Sequence, residues 1–311
     1  MFVAAVTLGV AAPDAARKPV VIAPGVTVGG VRVGGMMSEA ARTRVEAAFG
    51  RPLRLTFRDK QWRISPRYLG ASAGIDDAVS EALRAAPRTR VRLEVSAAQP
   101  RIRRYVGRLD RLFSREAVDA EVLGVVGGRP TFRRPETGLA VEREGMAQAI
   151  TRALRTNNRR TAVELVVRTV EPKVTPANFG PVMIVFRGSN KLKLFDGPNL
   201  VRTFGVATGS PEYPTPLGNY SIATKQYNPW WIPPPNSDWA KDKKPIPPGP
   251  GNPLGTRWMG TTAPLVGIHG TPDAASIGYS ASHGCIRMRV PEAEWLFSRV
   301  NVGTPVLIVS A

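Results

Sequence analysis

The stretch Ser280-Ala281-Ser282-His283-Gly284-Cys285-Ile286-Arg287-Met288 (SASHGCIRM) holds the only cysteine of the 311-residue chain and one of its two histidines. The other histidine, His269, ends the apolar run LVGIH and lies within GIHGTP, a little upstream. A chain so poor in Cys and His has gathered all three in one window, so the window is read first for chemistry.

Three chemistries suit this residue set. One is a buried thiol beside structural histidines. A second is zinc, for which Cys and His are proper ligands; no CxxC or HxxxH spacing accompanies them, and no acid is placed as an obvious general base. The third is a nucleophilic cysteine with histidine as its base. In an extended SHGCI segment, His283 and Cys285 would share a face, and Arg287 with them, as a possible clamp for a substrate carboxylate. Gly284 allows close backbone approach, and backbone N–H groups around Gly284 and Cys285 would receive an oxyanion. An imidazolium beside the thiol would lower its pKa. The residue types alone lead to cysteine-dependent acyl transfer and no further.

Working outward, the region from about residue 173 is rich in short apolar strands: VMIVF, KLKLF, LVRTFGVATG, GNYSIAT, LVGIH and PVLIV. GSN and DGPN read as hairpin turns, and VPEAEWLFSRV as a single helix with Pro291 in its first turn. This half is expected to be mainly β, a sandwich or half-barrel with one helix. Between Pro229 and Trp258 lie nine prolines and four tryptophans. A segment of that length without its own secondary structure is expected to serve as a lid or groove wall.

The preceding region, 24–172, alternates strand and helix signals and is expected to be α+β, in two modules of about 24–90 and 91–172. Its helices are read as SEAARTRVEAAF, GIDDAVSEALRAA, LDRLFSREAVDAEV and EREGMAQAITRAL, and TAVELVVRTVEP as one closing strand. VEPKVTPANFG is read as the boundary between the halves.

The net charge of +19 is unevenly spread. Residues 173–311 carry only 13 Lys/Arg against 7 Asp/Glu, so most of the excess lies earlier, in runs such as RIRRY. Such a surface attracts polyanions. No helix-turn-helix, zinc-finger or aromatic RNA-binding signature is present, so nucleic acid is not expected as a partner. One cysteine excludes internal disulfides. The first twelve residues are apolar but too few to span a bilayer. With the linker to residue 23 they read as the remainder of a signal peptide or signal anchor, and so as a sign of export.

GIHGTP, the spacing from His269 to His283, and SHGCIRM closely resemble the signature of L,D-transpeptidase catalytic domains of the YkuD type. VATGSPEYPTPLGNYSI resembles that family's upstream strand pair and VGTPVLIV its closing strand, so the likeness covers about residues 176–311. Residues 24–172 resemble more loosely the peptidoglycan-binding modules that precede such domains, most clearly at VGGMMSEAARTRV. The resemblance implies that Cys285 attacks a tetrapeptide donor stem, expels D-alanine, and passes the acyl group to an acceptor stem amine, making a 3→3 crosslink. It assigns His269 as general base, His283 as a supporting second histidine, and Ser282 and Gly284 to the motif. Arg287, Gly270, Tyr227 and Trp258 are expected to line the substrate site. No metal or other cofactor is implied. The partners implied are peptidoglycan stem peptides, anionic wall polymers, and carbapenem β-lactams as covalent inhibitors, all outside the cytoplasm. Hydrolysis of the same thioester (an L,D-carboxypeptidase or amidase), or non-catalytic wall binding, are the alternatives.

Overall fold

The computed structural model describes residues 20–156, 161–235 and 237–310; the apolar first twelve residues, read as a signal peptide or signal anchor, therefore lie outside the described residues. The chain forms two compact units, residues 1–116 with 139–169, and residues 117–138 with 170–311.

The first unit is α+β and holds two cores. In one, the helices Ser38–Phe49 and Ile75–Arg84 bury Ala41, Val45, Ala78, Val79 and Ala82 against short strands that carry Val28, Val31 and Val91. Asp76 and Asp77 in the first turn of the second helix, with Arg84 in its last, complement the helix dipole. In the other core, the hairpin Leu53–Phe57/Lys60–Ile64 packs with the helices Gln99–Phe113 and Arg143–Arg155. The division at about residue 90 is thus corrected. Residues 53–64 serve the second core, because Leu53, Leu55 and Ile64 meet Ile102, Met146 and Ile150.

One helix is also displaced from its expected place. LDRLFSREAVDAEV is helical only to Phe113, and the helix begins ten residues earlier with Pro100 in its first turn. Ile102, Val106 and Leu109 form its buried stripe at helical spacing. Beyond Ser114 the chain is extended, with Arg115 bridged to Leu139 and Val118 to Glu136. The expected closing strand is broken into Val163–Glu164 and Val167–Val170.

Residues 117–138 were expected in the second N-terminal module, yet they belong to the second unit. The hairpin Val122–Val126/Arg129–Phe132 lays Val122, Val125 and Phe132 against Val182, Ile184, Phe186, Phe195 and Leu307. An apolar hairpin face adheres wherever it removes most surface from water, at about 25 cal/mol per Å2.

The second unit is built on one eight-stranded sheet. Its order is Asn199–Gly205, Lys191–Asp196, Pro181–Phe186, Pro305–Val309, Gly218–Tyr227, Arg257–Thr261, Gly267–Thr271, Ile286–Arg289. The two ends nearly meet: Ala207, just past the first strand, exchanges both backbone hydrogen bonds with Arg287 of the last, each at 2.9 Å. The mainly β architecture expected as a sandwich or half-barrel with one helix is thus present, as one sheet that folds back on itself. Its interior holds Met183, Val185, Leu192, Phe204, Ile268, Ile286 and Met288, closed by Ala293, Leu296 and Phe297 of the helix Val290–Phe297. Among the described residues, no helix is long and apolar enough to cross a membrane.

Candidate active site

Cys285 sits in a turn between two strands that run on different partners. Ser280–Ser282 pairs in parallel with Thr208–Gly209, and Ile286–Arg289 pairs in parallel with Gly267–Thr271, setting Arg287 opposite His269. The segment between them is not extended as expected, because Gly284 has φ of +107°. That conformation is strained for an L side chain and free for glycine. Ser282 braces the turn: its Oγ donates to the Cys285 carbonyl at 2.6 Å and accepts from the Gly284 N–H at 3.1 Å. The Gly284 donor expected for an oxyanion is thus engaged within its own turn.

A second brace comes from Thr215, which is fully buried. Its Oγ accepts from the Gly209 N–H and donates to the Gly284 carbonyl, both at 2.8 Å. Gly209 has no room for a side chain; a Cβ there would lie 2.1 Å from the Tyr213 carbonyl oxygen. This close approach of backbones positions the turn that carries Cys285.

Cys285 as a whole residue is half-buried on the groove. Its sulfur lies 3.6 Å from the carbonyl oxygen of Leu265, to which the S–H donates, and Leu265 itself is held at φ of +60°. Burial raises the thiol pKa, opposed by the Gly267 N–H and the charge of Arg287. His269 is buried, and burial, reinforced by Arg287, lowers its pKa to about 4 against the pull of the Gly270 carbonyl. The resting pair is therefore a thiol and a neutral imidazole at pH 7. This corrects the expectation of an imidazolium holding a thiolate.

His283 is differently placed. Its ring stacks on Trp239, with centroids 3.9 Å apart and planes at 17°, and lies 5.0 Å from Tyr213. Its pKa is lowered by desolvation and by Arg287 and Lys243, and Glu212 opposes them. Arg287 is mostly covered, with a nitrogen 3.9 Å from Asp273.

His269, Ser282, His283, Cys285, Arg287 and Trp258 all open on one groove of about 950 Å3. Trp258 lies across from His269 on the neighbouring strand, ring centroids 5.7 Å apart. Two expected lining residues are corrected. Tyr227 turns away from the groove, packing edge-on against Phe297 at 4.6 Å with Arg257 over its ring. Thr224 and Gln226 of the same strand line the groove, and alternation sends Tyr227 to the opposite face. Gly270 lies outside the lining: its carbonyl oxygen is 2.7 Å from His269 Nδ1, and it packs where a Cβ would meet Val290 at 3.1 Å.

The Pro229–Trp258 segment supplies the wall expected of it, with Trp230, Trp231, Trp239, Lys243 and Lys244 on the groove. Of these the sequence reading singled out none individually. Thr215 was also missed, although it stands in the quoted PTPLG run.

A solitary thiol, a buried neutral histidine and a groove of about 950 Å3 on a nearly closed sheet define a site suited to thiol chemistry. Residues 181–308 match the YkuD family profile, the L,D-transpeptidase catalytic domain. The chain is 38% identical over 134 residues to the Bacillus subtilis L,D-transpeptidase homologue YqjB, covering 41% of this chain and 70% of that one. To the YkuD homologue of Bacillus licheniformis it is 33% identical over 117 residues, covering 38% and 58%. A solved L,D-transpeptidase of Enterococcus faecium aligns over 88% of this chain and 100% of that one, at 15% identity and a TM-score of 0.38, too loosely to add weight. This chain belongs to the L,D-transpeptidase family.

Proposed function

We propose that the chain is a peptidoglycan L,D-transpeptidase that uses Cys285 as nucleophile and forms 3→3 crosslinks outside the cytoplasmic membrane. The observation that carries this reading is that the thiol and a neutral histidine with a fixed tautomer open on one groove of about 950 Å3. In the first half-reaction, Cys285 sulfur bonds to the carbonyl carbon of the donor's diamino acid as its proton passes to His269 Nε2. Collapse of the tetrahedral adduct breaks the C–N bond, and the same proton leaves on the amine of D-alanine. In the second, an acceptor amine attacks the thioester and gives its proton to His269. The C–S bond breaks, and the proton returns to sulfur. Gly267 N–H and Arg287 favour the thiolate as it leaves. This amide-to-thioester-to-amide exchange calls for no cofactor. Residues 24–172 are proposed to hold the enzyme on the wall.

Two measurements test the reading. Purified tetrapeptide stems should yield D-alanine together with dimers; D-alanine without dimers would replace transfer by hydrolysis. A carbapenem should add covalently to the intact protein by mass spectrometry and not to Cys285→Ala, a variant expected to lose roughly 10^4-fold or more in rate. An adduct persisting in that variant would overturn the assignment.

A further inference from the structure

The groove around Cys285 is one-signed. Its charged lining residues other than histidine are Lys243, Lys244 and Arg287, and no Asp or Glu lines it among the described residues. Arg287 is partly offset by Asp273 at 3.9 Å. Neither lysine has an ion-pair partner among the described residues. Lys243 is tied to the catalytic floor: its Nζ lies 5.5 Å from the ring centroid of Trp239, which stacks on His283. Glu212, outside the lining, is the one acid whose charge registers at His283, and it does so below Arg287 and Lys243.

Three cations facing one cavity repel each other and gain from any carboxylate that enters. A ligand with a single carboxylate can neutralise only one of them. We infer that Lys243 and Lys244 are specificity-determining residues that select a donor bearing a free carboxylate on its diamino acid, in addition to the C-terminal carboxylate, over the same donor amidated at that position. Lysine suits the task, since its compact charge on a flexible stem follows a carboxylate without fixed geometry. The preference rests on the acyl-transfer reading for its consequence, though not for the binding step itself.

The test uses the full chain with Cys285→Ser and two synthetic tetrapeptides that differ only in carboxylate against carboxamide on the diamino acid. Calorimetry at low ionic strength should show the acid binding about tenfold tighter, the worth of one charge-assisted contact. Added salt should erode that advantage. Lys243→Gln with Lys244→Gln in the same background should bring the ratio near one. Equal affinities in the parent, no measurable binding of either peptide, or a ratio that survives both substitutions would overturn the inference. Thioester formation on Cys285 in the wild-type chain, followed by mass spectrometry with each peptide, separates the two proposals. A binding preference without thioester sinks the reaction and leaves the selection standing, whereas thioester with no preference does the reverse.

Discussion

His269 Nδ1 lies 2.7 Å from the carbonyl oxygen of its own neighbour, Gly270. A carbonyl only accepts, so Nδ1 carries the proton and Nε2 is left as the ring's acceptor. Burial, the larger cause, and Arg287 hold this imidazole neutral down to about pH 4. A base must be unprotonated to act, so the acid limb of carbapenem acylation should fall near pH 4 and not near the ordinary histidine value of about 6.5. With two histidines in the chain, NMR titration of the imidazole protons can follow each one separately. A His269 midpoint near 6.5 would show that the ring is solvated and would remove the physical basis of the neutral pair.

Arg287 acts on both partners in the same direction. Its charge disfavours the imidazolium of His269 and favours the thiolate of Cys285. Arg287→Gln should therefore raise both pKa values. The acid limb should move up from about pH 4, and alkylation by iodoacetamide at fixed pH below the thiol pKa should slow, since the thiolate is the attacking form. The backbone exchange with Ala207 does not involve the side chain, so sheet closure should persist. Unchanged alkylation and an unmoved acid limb would reduce Arg287 to a packing residue.

Trp239 covers His283 at 3.9 Å. His283 is exposed at its other side, so removing the ring in Trp239→Ala should hydrate it further, and its lowered pKa should rise toward the ordinary value, because desolvation is its first cause. His269, buried in the sheet, should not move. The loss of one stacked pair should cost about 1 kcal/mol of stability. If both histidines shift together, the tryptophan is holding the whole groove and not the one ring.

How much of this was legible in the sequence follows from what each signal encodes. Cys285, His269 and His283 stood out because they are rare and close together, and the strands of the second unit because apolar runs between turn residues have few other uses. The helix Gln99–Phe113 was obscured by five arginines among fifteen residues, which dilute its apolar stripe. The hairpin at 122–132 was recognised as a hairpin, but an apolar face does not name the core it will join. Tyr227 was misplaced because an aromatic side chain does not declare which face of its strand it takes, and the strand carries an irregularity between Ile222 and Thr224 that blurs the count. One such slip exchanges the two faces of everything beyond it. Lys243 and Lys244 gave no signal, because a charge in a loop shows its direction only once the loop is placed.

Thr215 is the residue whose importance the sequence least suggested. Its hydroxyl joins the Gly209 N–H to the Gly284 carbonyl with no exposure to water, so two backbone segments depend on one oxygen. Thr215→Val keeps the volume and removes both bonds, leaving a donor and an acceptor buried without partners. Each unsatisfied group costs roughly 1–3 kcal/mol, so the variant should lose about 2 kcal/mol or more in denaturant unfolding. Cys285 follows Gly284 directly, so acylation should slow further than the lost stability explains when compared at a temperature where both proteins are folded. Thr215→Ser restores the hydroxyl and should recover most of the rate. A valine variant with wild-type acylation would show that Ser282 alone holds the turn that carries Cys285.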